Sequence, residues 1–313
     1  MELPFSKIQG CGNSFVVVQE RDLPEYGIRS LGGWSEERKE KLAEEVCHGG
    51  RGLGADGFFV VAAHWNSATE GLDPRVVPLD RLIVDMRNPD GGPMGMCGNG
   101  VRCVVRAAYR WGWLMPNPVT VSIGNLSVDC VTADEGRNVQ VAMGAPRFEP
   151  ASVPLLSETS LRGDEVSLGG RLRRVWALSM GNPHCIVLDE GEDLRVIGPI
   201  IENDPLFPHR TNLELLTPVS RRRISVRVWE RGAGITQACG TGACAAAVVS
   251  IEQGICDSPV TVCMPGGELT VSWDGSRGVY LTGPAQEIAS GLMTIPGLIE
   301  FGGDGLSQGC LQR

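Results

Sequence analysis

Two cysteines carry the strongest chemical signal in this sequence, because each opens an apolar run with the same spacing of glycines. Cys97 lies in MCGNGVRC and Cys239 lies in ACGTGAC. A cysteine at the start of a helix faces unpaired backbone N–H groups and the positive end of the helix dipole. Both features stabilise a thiolate, so we expect each pKa to fall below the free value of about 8.5. The glycines let a ligand approach the N–H groups, and such a site accepts both a proton and a carboxylate.

The two motifs belong to a long internal repeat, in which Cys97 and Cys239 are 142 residues apart. The same offset carries Asn88 onto Glu230, each nine residues before its cysteine. Further pairs of similar blocks follow in the same order: 10–18 with 180–188, 96–112 with 238–254, 123–130 with 266–273 and 139–146 with 279–286. We interpret the chain as two copies of one α/β unit.

Two helix starts related by a pseudo-two-fold axis can face each other across one cleft. A thiolate on one side and a thiol on the other can then remove a proton from one face of a carbon and return a proton to the opposite face. The helix N-termini stabilise charge that develops on a neighbouring carboxylate, so this chemistry needs no metal. The alternative of a tight turn into a buried helix remains open, whereas the P-loop lysine and the dinucleotide glycine spacing are missing.

The remaining cysteines indicate neither a disulfide framework nor a zinc site. The chain has 11 cysteines, an odd number, and the four histidines are isolated from one another. No Cys-x2-Cys pair occurs, although zinc sites of small domains depend on such spacing. We therefore predict no metal site, and we expect most of the other cysteines to pack as small buried hydrophobic residues.

The elements around the motifs predict an α/β (α+β) fold of two pseudo-symmetric domains, each a curved, mostly antiparallel sheet or barrel around a central helix. Apolar runs after the two motifs predict the central helices over 101–109 and 243–253, and their all-round apolar character indicates burial. The predicted domains are 1–143, completed by a returning segment 283–302, and 144–282, with a tail at 303–313.

Stretches without a counterpart in the other copy are 21–45, 64–80 and the tail. The first is predicted to hold a surface helix over Ser35–Cys47 with Ser35 as its N-cap and with residues 38–41 facing solvent.

Composition narrows the class of partner. The 313 residues carry 28 basic and 37 acidic side chains, a formal charge of −9, which does not attract nucleic acid or an anionic membrane surface. The longest apolar stretches fall short of the roughly 20 residues that cross a membrane, and the start MELPFSKIQG lacks the features of a signal peptide. We expect a cytoplasmic protein that acts on a small molecule, with no nucleic-acid or membrane partner.

Several segments resemble, in order, the signature blocks of the diaminopimelate epimerase family, from Lys7 to about Gly291. They are KIQGCGNSFVVV, GRGLGADG, NPDGGPMGMCGNGVRC, SMGNPHCIVL, FPHRTNLELL, VRVWERGAGITQACGTGACAA and PGGELTVSW. The resemblance implies that family's fold and a two-base epimerase without a cofactor. Its reaction interconverts LL- and meso-2,6-diaminopimelate, for lysine and, in many bacteria, for peptidoglycan precursors.

The resemblance also implies a set of site residues. Cys97 and Cys239 would be the two acid/base residues, and the helix-start N–H groups would come from Gly98, Asn99, Gly240 and Thr241. The substrate shell would comprise Asn13, Asn88, Asn182, Asn212, Glu230 and Arg231. His184 and Glu230 would tune the cysteines. Amides serve both the ammonium and the carboxylate of an amino acid, and an arginine binds a carboxylate through two hydrogen bonds, which suits a substrate with two amino-acid ends.

Other activities compete with this interpretation. One is a racemase or epimerase of another amino acid, such as proline or hydroxyproline, and another is a binding protein of the same fold without catalysis. A homodimer is possible, but Ala289 stands where some family members place a tyrosine at a dimer contact. A disulfide between Cys97 and Cys239 also remains open.

Overall fold

A computed structural model describes residues 2–23, 35–65 and 72–294 of the chain. Its strands are β1 (Glu2–Gly10), β2 (Asn13–Gln19), β3 (Gly57–His64), β4 (Arg81–Arg87), β5 (Val119–Ile123), β6 (Leu126–Ala133), β7 (Asn138–Gly144), β8 (Arg162–Leu168), β9 (Arg171–Ser179), β10 (Pro183–Leu188), β11 (Asn212–Ser220), β12 (Arg223–Glu230), β13 (Gly234–Ile235), β14 (Val260–Met264), β15 (Gly267–Ser272), β16 (Val279–Pro284) and β17 (Gln286–Thr294). Its helices are α1 (Glu36–Cys47), α2 (Gly98–Arg110), α3 (Leu194–Glu202) and α4 (Gly240–Glu252).

The strands form one continuous, mostly antiparallel sheet. Neighbours run in the order β17, β1, β2, β3, β4, β5, β6, β7, β16, β15, β14, β12, β11, β10, β9, β8, and β13 adds to β12. The pair β7–β16 joins the first half of this order to the second. The predicted fold class, an α/β (α+β) fold with a curved, mostly antiparallel sheet, is confirmed.

Both halves place their parallel strand pairs at the same points. These are β2–β3 and β4–β5 in the first half, and β10–β11 and β12–β14 in the second. A parallel pair requires a crossover connection, and in each half the first crossover carries an outer helix, α1 or α3, and the second a central helix, α2 or α4. The expectation that 21–45 has no counterpart is therefore wrong for residues 36–45, which belong to α1, while residues 24–34 lie outside the described residues. The two outer helices differ in sequence because they share only the need for one apolar face.

Helix α1 begins where the sequence predicts. The Ser35 side chain accepts a hydrogen bond from the backbone N–H of Arg38, which is the N-cap geometry. The expectation that residues 38–41 face solvent holds fully only for Lys41, because Arg38, Lys39 and Glu40 are half-buried. Lys39 forms an ion pair with Asp85 at 3.0 Å. The Asp85 carboxylate on β4 thus holds the Lys39 side chain against the sheet.

The central helices lie within the largest hydrophobic core, which both halves share. Most residues of α2 and α4 are buried, as the apolar runs predict. Both helices begin earlier than expected, at Gly98 and Gly240. The glycines of each motif therefore form the first turn, and each cysteine occupies the N-cap position.

Strand β17 pairs with β1, so a segment near the end of the described chain adjoins the first half. Strand β16 runs to Pro284, two residues beyond the predicted boundary at 282. The domain boundaries themselves stay predictions. The predicted tail, 303–313, and residues 295–302 of the predicted returning segment lie outside the described residues.

Candidate active site

Cys97 and Cys239 cap the two central helices in the same way. Both have an extended backbone, with φ −124° and ψ 104° at Cys97 and φ −120° and ψ 116° at Cys239. The Cys97 Sγ accepts a hydrogen bond from the Gly100 N–H at 3.3 Å, and the Cys239 Sγ accepts one from the Gly242 N–H at 3.4 Å. The sulfur thus takes the place of the hydroxyl or carboxylate oxygen of an ordinary N-cap. Both cysteines are free thiols.

The starts of the two helices meet through their glycines. A methyl group on Gly240 would lie 3.6 Å from the Gly98 Cα. Methyl groups on either glycine would also contact the same side chain, Leu281, at 3.2 Å. The first N–H groups of a helix have no partner within the helix, and the helix dipole is positive at this end. Two such ends therefore supply positive potential and N–H donors to one region between the halves.

The expectation that the thiols have lowered pKa values is wrong. Burial raises the pKa of Cys97, and the Gly100 N–H opposes this shift only in part. Burial also raises the pKa of Cys239, to which the carboxylates of Glu230 and Glu214 add. The helix starts do favour the thiolates, but the loss of water around the sulfur atoms has the larger effect.

Glu230 acts on both thiols. Its charge contributes to the raised pKa of Cys97 and to that of Cys239, and its carboxylate accepts a hydrogen bond from the Thr236 hydroxyl. The Thr241 hydroxyl lies 3.4 Å from the Cys239 Sγ. Glu230 is thus a shared negative charge near the pair of sulfur atoms, and Thr241 contacts one of them.

A polar network on the first half ties the start of α2 to its surroundings. The Asn99 side chain donates to Asn13 Oδ1 at 2.8 Å and to the Ala238 carbonyl at 3.5 Å, so it bridges to the residue before Cys239. Arg102 donates to Asn99 Oδ1 at 2.8 Å. Arg102 is not among the predicted site residues, although a charged residue inside the apolar run GVRCVV marks its position.

The second half holds a buried chain of hydrogen bonds beneath Cys239. His184 Nδ1 lies 2.7 Å from Glu214 Oε1, and His184 Nε2 lies 3.0 Å from Asn182 Oδ1. His184 and Glu214 are both fully buried. A methyl group on Gly242 would lie 2.5 Å from Glu214 Oε1, so the carboxylate packs against the first turn of α4. Burial raises the pKa of Glu214, and His184 opposes that shift.

The equivalent pair in the first half is apolar. His184 pairs with Asn212 across β10 and β11, as Phe15 pairs with Gly57 across β2 and β3. This register differs by one residue from the predicted pairing of 10–18 with 180–188, which would place Ser14 opposite His184. Two residues farther along, Glu214 therefore corresponds to Phe59, whose ring stacks on that of Phe15 at 4.6 Å between centroids. Glu214 is not among the predicted site residues, although a glutamate within the apolar strand NLELL marks its position.

The other predicted shell residues lie at the ends of strands. Asn212 is buried, donates to the Pro183 carbonyl at 2.8 Å and accepts from the Arg231 N–H at 2.8 Å. The Arg231 side chain is exposed and donates to the His209 carbonyl at 3.0 Å. Asn88 follows β4 and donates to the Pro93 carbonyl at 3.2 Å. Asn212 thus holds the loop that carries Arg231.

The described residues contain neither a metal-binding cluster nor a helix that could span a membrane. No group of three or more His, Cys, Asp or Glu side chains in residues 2–23, 35–65 and 72–294 is arranged to hold a metal ion. None of the helices in those ranges is long and apolar enough to span a membrane.

Comparison with known proteins identifies the family. The model of the family described as diaminopimelate epimerase matches residues 5–149 and 176–288. The chain belongs to the diaminopimelate epimerase family. A diaminopimelate epimerase from Desulfitobacterium hafniense is 36% identical over 301 residues, 92% of this chain and 96% of the relative. A diaminopimelate epimerase from Cupriavidus taiwanensis is 38% identical over 309 residues, 95% of this chain and 99% of the relative.

Solved structures with low sequence identity share the fold of this diaminopimelate epimerase family member. A phenazine biosynthesis protein of the PhzF family from Bacillus anthracis has a TM-score of 0.60 at 15% identity, covering 94% of this chain and 100% of that one. A hydroxyproline epimerase from Agrobacterium vitis has a TM-score of 0.60 at 12% identity, covering 95% and 94%. At such identities the likeness concerns the fold alone.

Proposed function

We propose that this chain is a diaminopimelate epimerase that interconverts LL- and meso-2,6-diaminopimelate with two cysteines. The observation that carries the proposal is the pair of N-capping thiols on two helices whose first turns meet through Gly98 and Gly240. Family membership supplies the substrate. The internal duplication supplies two equivalent acid/base groups, which is what inversion at one carbon requires.

The reaction follows from the geometry of the helix starts. One cysteine, as a thiolate, takes the proton of the α-carbon, and the electron pair of that C–H bond moves toward the α-carboxylate. The N–H groups at the starts of α2 and α4 stabilise the negative charge that builds up on the carboxylate oxygens. The other cysteine, as a thiol, then delivers its proton to the opposite face of the carbon. The enzyme ends with the two protonation states exchanged.

The distal end of the substrate explains the polar residues away from the thiols. Diaminopimelate carries a second amino-acid group that does not react, and Arg231 is exposed beside the buried Asn212. A guanidinium binds a carboxylate through two parallel hydrogen bonds. We assign Arg231, Asn88, Asn13 and Asn182 to the substrate shell. Asn212 acts chiefly by holding the Arg231 loop, because its amide already bonds to the protein on both sides.

A substrate panel tests the proposal. The purified protein, dialysed against a chelator and freed of pyridoxal phosphate, is incubated separately with LL-diaminopimelate, L-proline and trans-4-hydroxy-L-proline. Chiral chromatography should show meso-diaminopimelate forming from the first substrate and no inversion of the other two. Inversion of a proline in place of diaminopimelate would assign the site to another amino acid, and inversion of none would favour a binding protein.

We further propose that the protein acts in the cytoplasm on its small-molecule substrate, without a nucleic-acid or membrane partner. Homodimer formation also stays a prediction. Ala289 lies on β17 opposite Lys7 of β1 and is exposed. Light scattering on the purified protein measures the mass, and a dimer through this strand should be weakened by Ala289→Asp.

A further inference from the structure

Arg102 is a fully buried guanidinium without a carboxylate partner in the part of the chain that the structure describes. It lies in α2, five residues after Cys97. Its donors reach neutral acceptors, which are the Gly98 carbonyl at 3.2 Å, the Pro284 carbonyl at 3.2 Å, Asn99 Oδ1 at 2.8 Å and Cys11 Sγ at 3.7 Å. The guanidinium is therefore solvated by dipoles, and its positive charge is not neutralised.

The fold provides a slot for this side chain between the two halves. A methyl group on Gly10 of β1 would lie 3.1 Å from one guanidinium nitrogen of Arg102. A methyl group on Gly283 of β16 would lie 3.0 Å from both Nε and Cζ. At the equivalent position of α4 the chain has Cys244, an uncharged buried thiol. The buried charge therefore belongs to one half.

This placement is unfavourable for stability by itself. Burying an unpaired charge costs desolvation energy, and a cation near the start of a helix opposes the helix dipole. A nearby anion offsets both costs. The anions that the proposed reaction forms in this region are a cysteine thiolate and the charged carboxylate of the reacting substrate.

The charged and titratable groups that act on the two thiols differ between the halves. Arg102 donates to the carbonyl of Gly98, the residue after Cys97, and its charge and that of Glu230 act on the Cys97 thiol. Two further buried thiols lie on this side: Cys11, which accepts from Arg102 at 3.7 Å, and Cys103 on the same helix. The groups that act on Cys239 are Glu230 and Glu214, with His184 behind Glu214. Glu230 is common to both, so the difference lies in a cation on the Cys97 side and a carboxyl group on the Cys239 side.

We propose that Arg102 is a positioning residue that makes Cys97 the first of the two thiols to lose its proton and that, through Asn99, fixes the start of α2. The proposal rests on the proposed function, in which these two thiols are the acid/base pair. In the enzyme without substrate, Cys97 is then the thiolate and Cys239 the thiol. The isomer whose α-hydrogen points toward Cys97 meets the enzyme in its ready protonation state.

The test measures the two thiols separately. The protein is alkylated with iodoacetamide at a series of pH values, and mass spectrometry of the peptides containing Cys97 and Cys239 gives the rate for each. The midpoint of each pH profile reports the ionisation of that thiol, whereas the absolute rate also depends on how easily iodoacetamide reaches the sulfur. We expect the Cys97 midpoint to lie about one pH unit or more below that of Cys239.

Variants separate charge from structure. Arg102→Gln should raise the Cys97 midpoint by about one pH unit. Arg102→Lys keeps the charge, so the Cys97 midpoint should stay below that of Cys239. Arg106→Gln is the matched control, since Arg106 lies one turn farther along α2, donates to the Glu135 carbonyl and should change neither midpoint.

Two results would overturn the proposal: a wild-type Cys97 midpoint at or above that of Cys239, or an unchanged Cys97 midpoint in folded Arg102→Gln. If Arg102→Gln does not fold, the wild type and Arg102→Lys still decide the question. In both proteins the Cys97 midpoint should lie below the Cys239 midpoint, and a failure in either contradicts the role of the charge. The titration uses no substrate, so it succeeds or fails independently of whether diaminopimelate is the substrate.

Discussion

Replacement of Gly242 by alanine tests whether the buried Glu214 carboxylate is held against the start of α4. At an ordinary helical position this change stabilises a protein by about 1 kcal/mol, because glycine has the higher backbone entropy in the unfolded state. Here the new methyl group would lie 2.5 Å from Glu214 Oε1 and 3.3 Å from the Cys239 Cβ. The carboxylate must move, and its 2.7 Å contact with His184 must lengthen.

Gly242→Ala should therefore destabilise the protein instead of stabilising it. Overpacking costs about 1–3 kcal/mol, and a buried polar group that loses its partner costs a further 1–3 kcal/mol or so. Against about 1 kcal/mol of improved helix propensity, we expect Gly242→Ala to lower the free energy of unfolding by about 3 kcal/mol. Urea unfolding measures this value, and steady-state kinetics should show lower kcat because the hydrogen bonds that end at Asn182 are lost.

A double-mutant cycle shows whether the clash is with Glu214. A Glu214→Ala background removes the 2.5 Å clash and leaves only the 3.3 Å approach to the Cys239 Cβ. Adding Gly242→Ala there should therefore raise stability, by up to about 1 kcal/mol from helix propensity. A single variant Gly242→Ala as stable as the wild type, or an equal loss in both backgrounds, would refute the placement of Glu214 beneath Cys239.

Three further predictions concern the thiols and the distal end. Because the reaction needs one thiolate and one thiol, the plot of kcat/KM against pH should be bell-shaped. Since burial raises the pKa of both thiols, the maximum of kcat/KM should lie on the alkaline side of neutrality. A maximum on the acidic side would contradict this. Burial raises the pKa of Cys130 to about 12, so the folded state keeps a proton that the unfolded state loses above about pH 8.5. The free energy of unfolding should thus fall as pH rises. Measured by urea unfolding at pH 8–10, Cys130→Ala should make this fall less steep by up to about 1.4 kcal/mol per pH unit. An unchanged dependence on pH would count against the buried, protonated thiol. Arg231→Leu should raise KM for LL-diaminopimelate roughly tenfold or more, as expected for a lost charged hydrogen bond, while Arg222→Leu on the exposed loop should not; equal KM values would remove Arg231 from the site.

The sequence was sufficient where the signal is local. The spacing of glycines after Cys97 and Cys239 predicts two helix starts, and the offset between them indicates the duplication that the strand pairing repeats. The alternation of polar and apolar residues predicts the mixed fold class. The N-cap at Ser35 is a local feature too, and the side chain bonds as expected.

Features that depend on tertiary packing were missed or reversed. Burial determines the direction of the thiol pKa shifts, and the helix-start effect alone points the other way. Glu214 matters because β11 places it beneath α4, and Arg102 matters because glycines from two distant strands leave room for it. Neither contact follows from spacing along the chain, although a charged residue within a buried apolar run marks both positions.

Isotope exchange in deuterated water shows whether two separate acid/base groups invert the α-carbon. LL-diaminopimelate is incubated with the enzyme, and early samples are separated into substrate and meso product for mass spectrometry. We expect one deuterium at the inverted α-carbon of the product, while the remaining substrate keeps its hydrogen, because Cys97 and Cys239 hold different protons. A product that retains the original α-hydrogen, or equal early labelling of substrate and product, would contradict it.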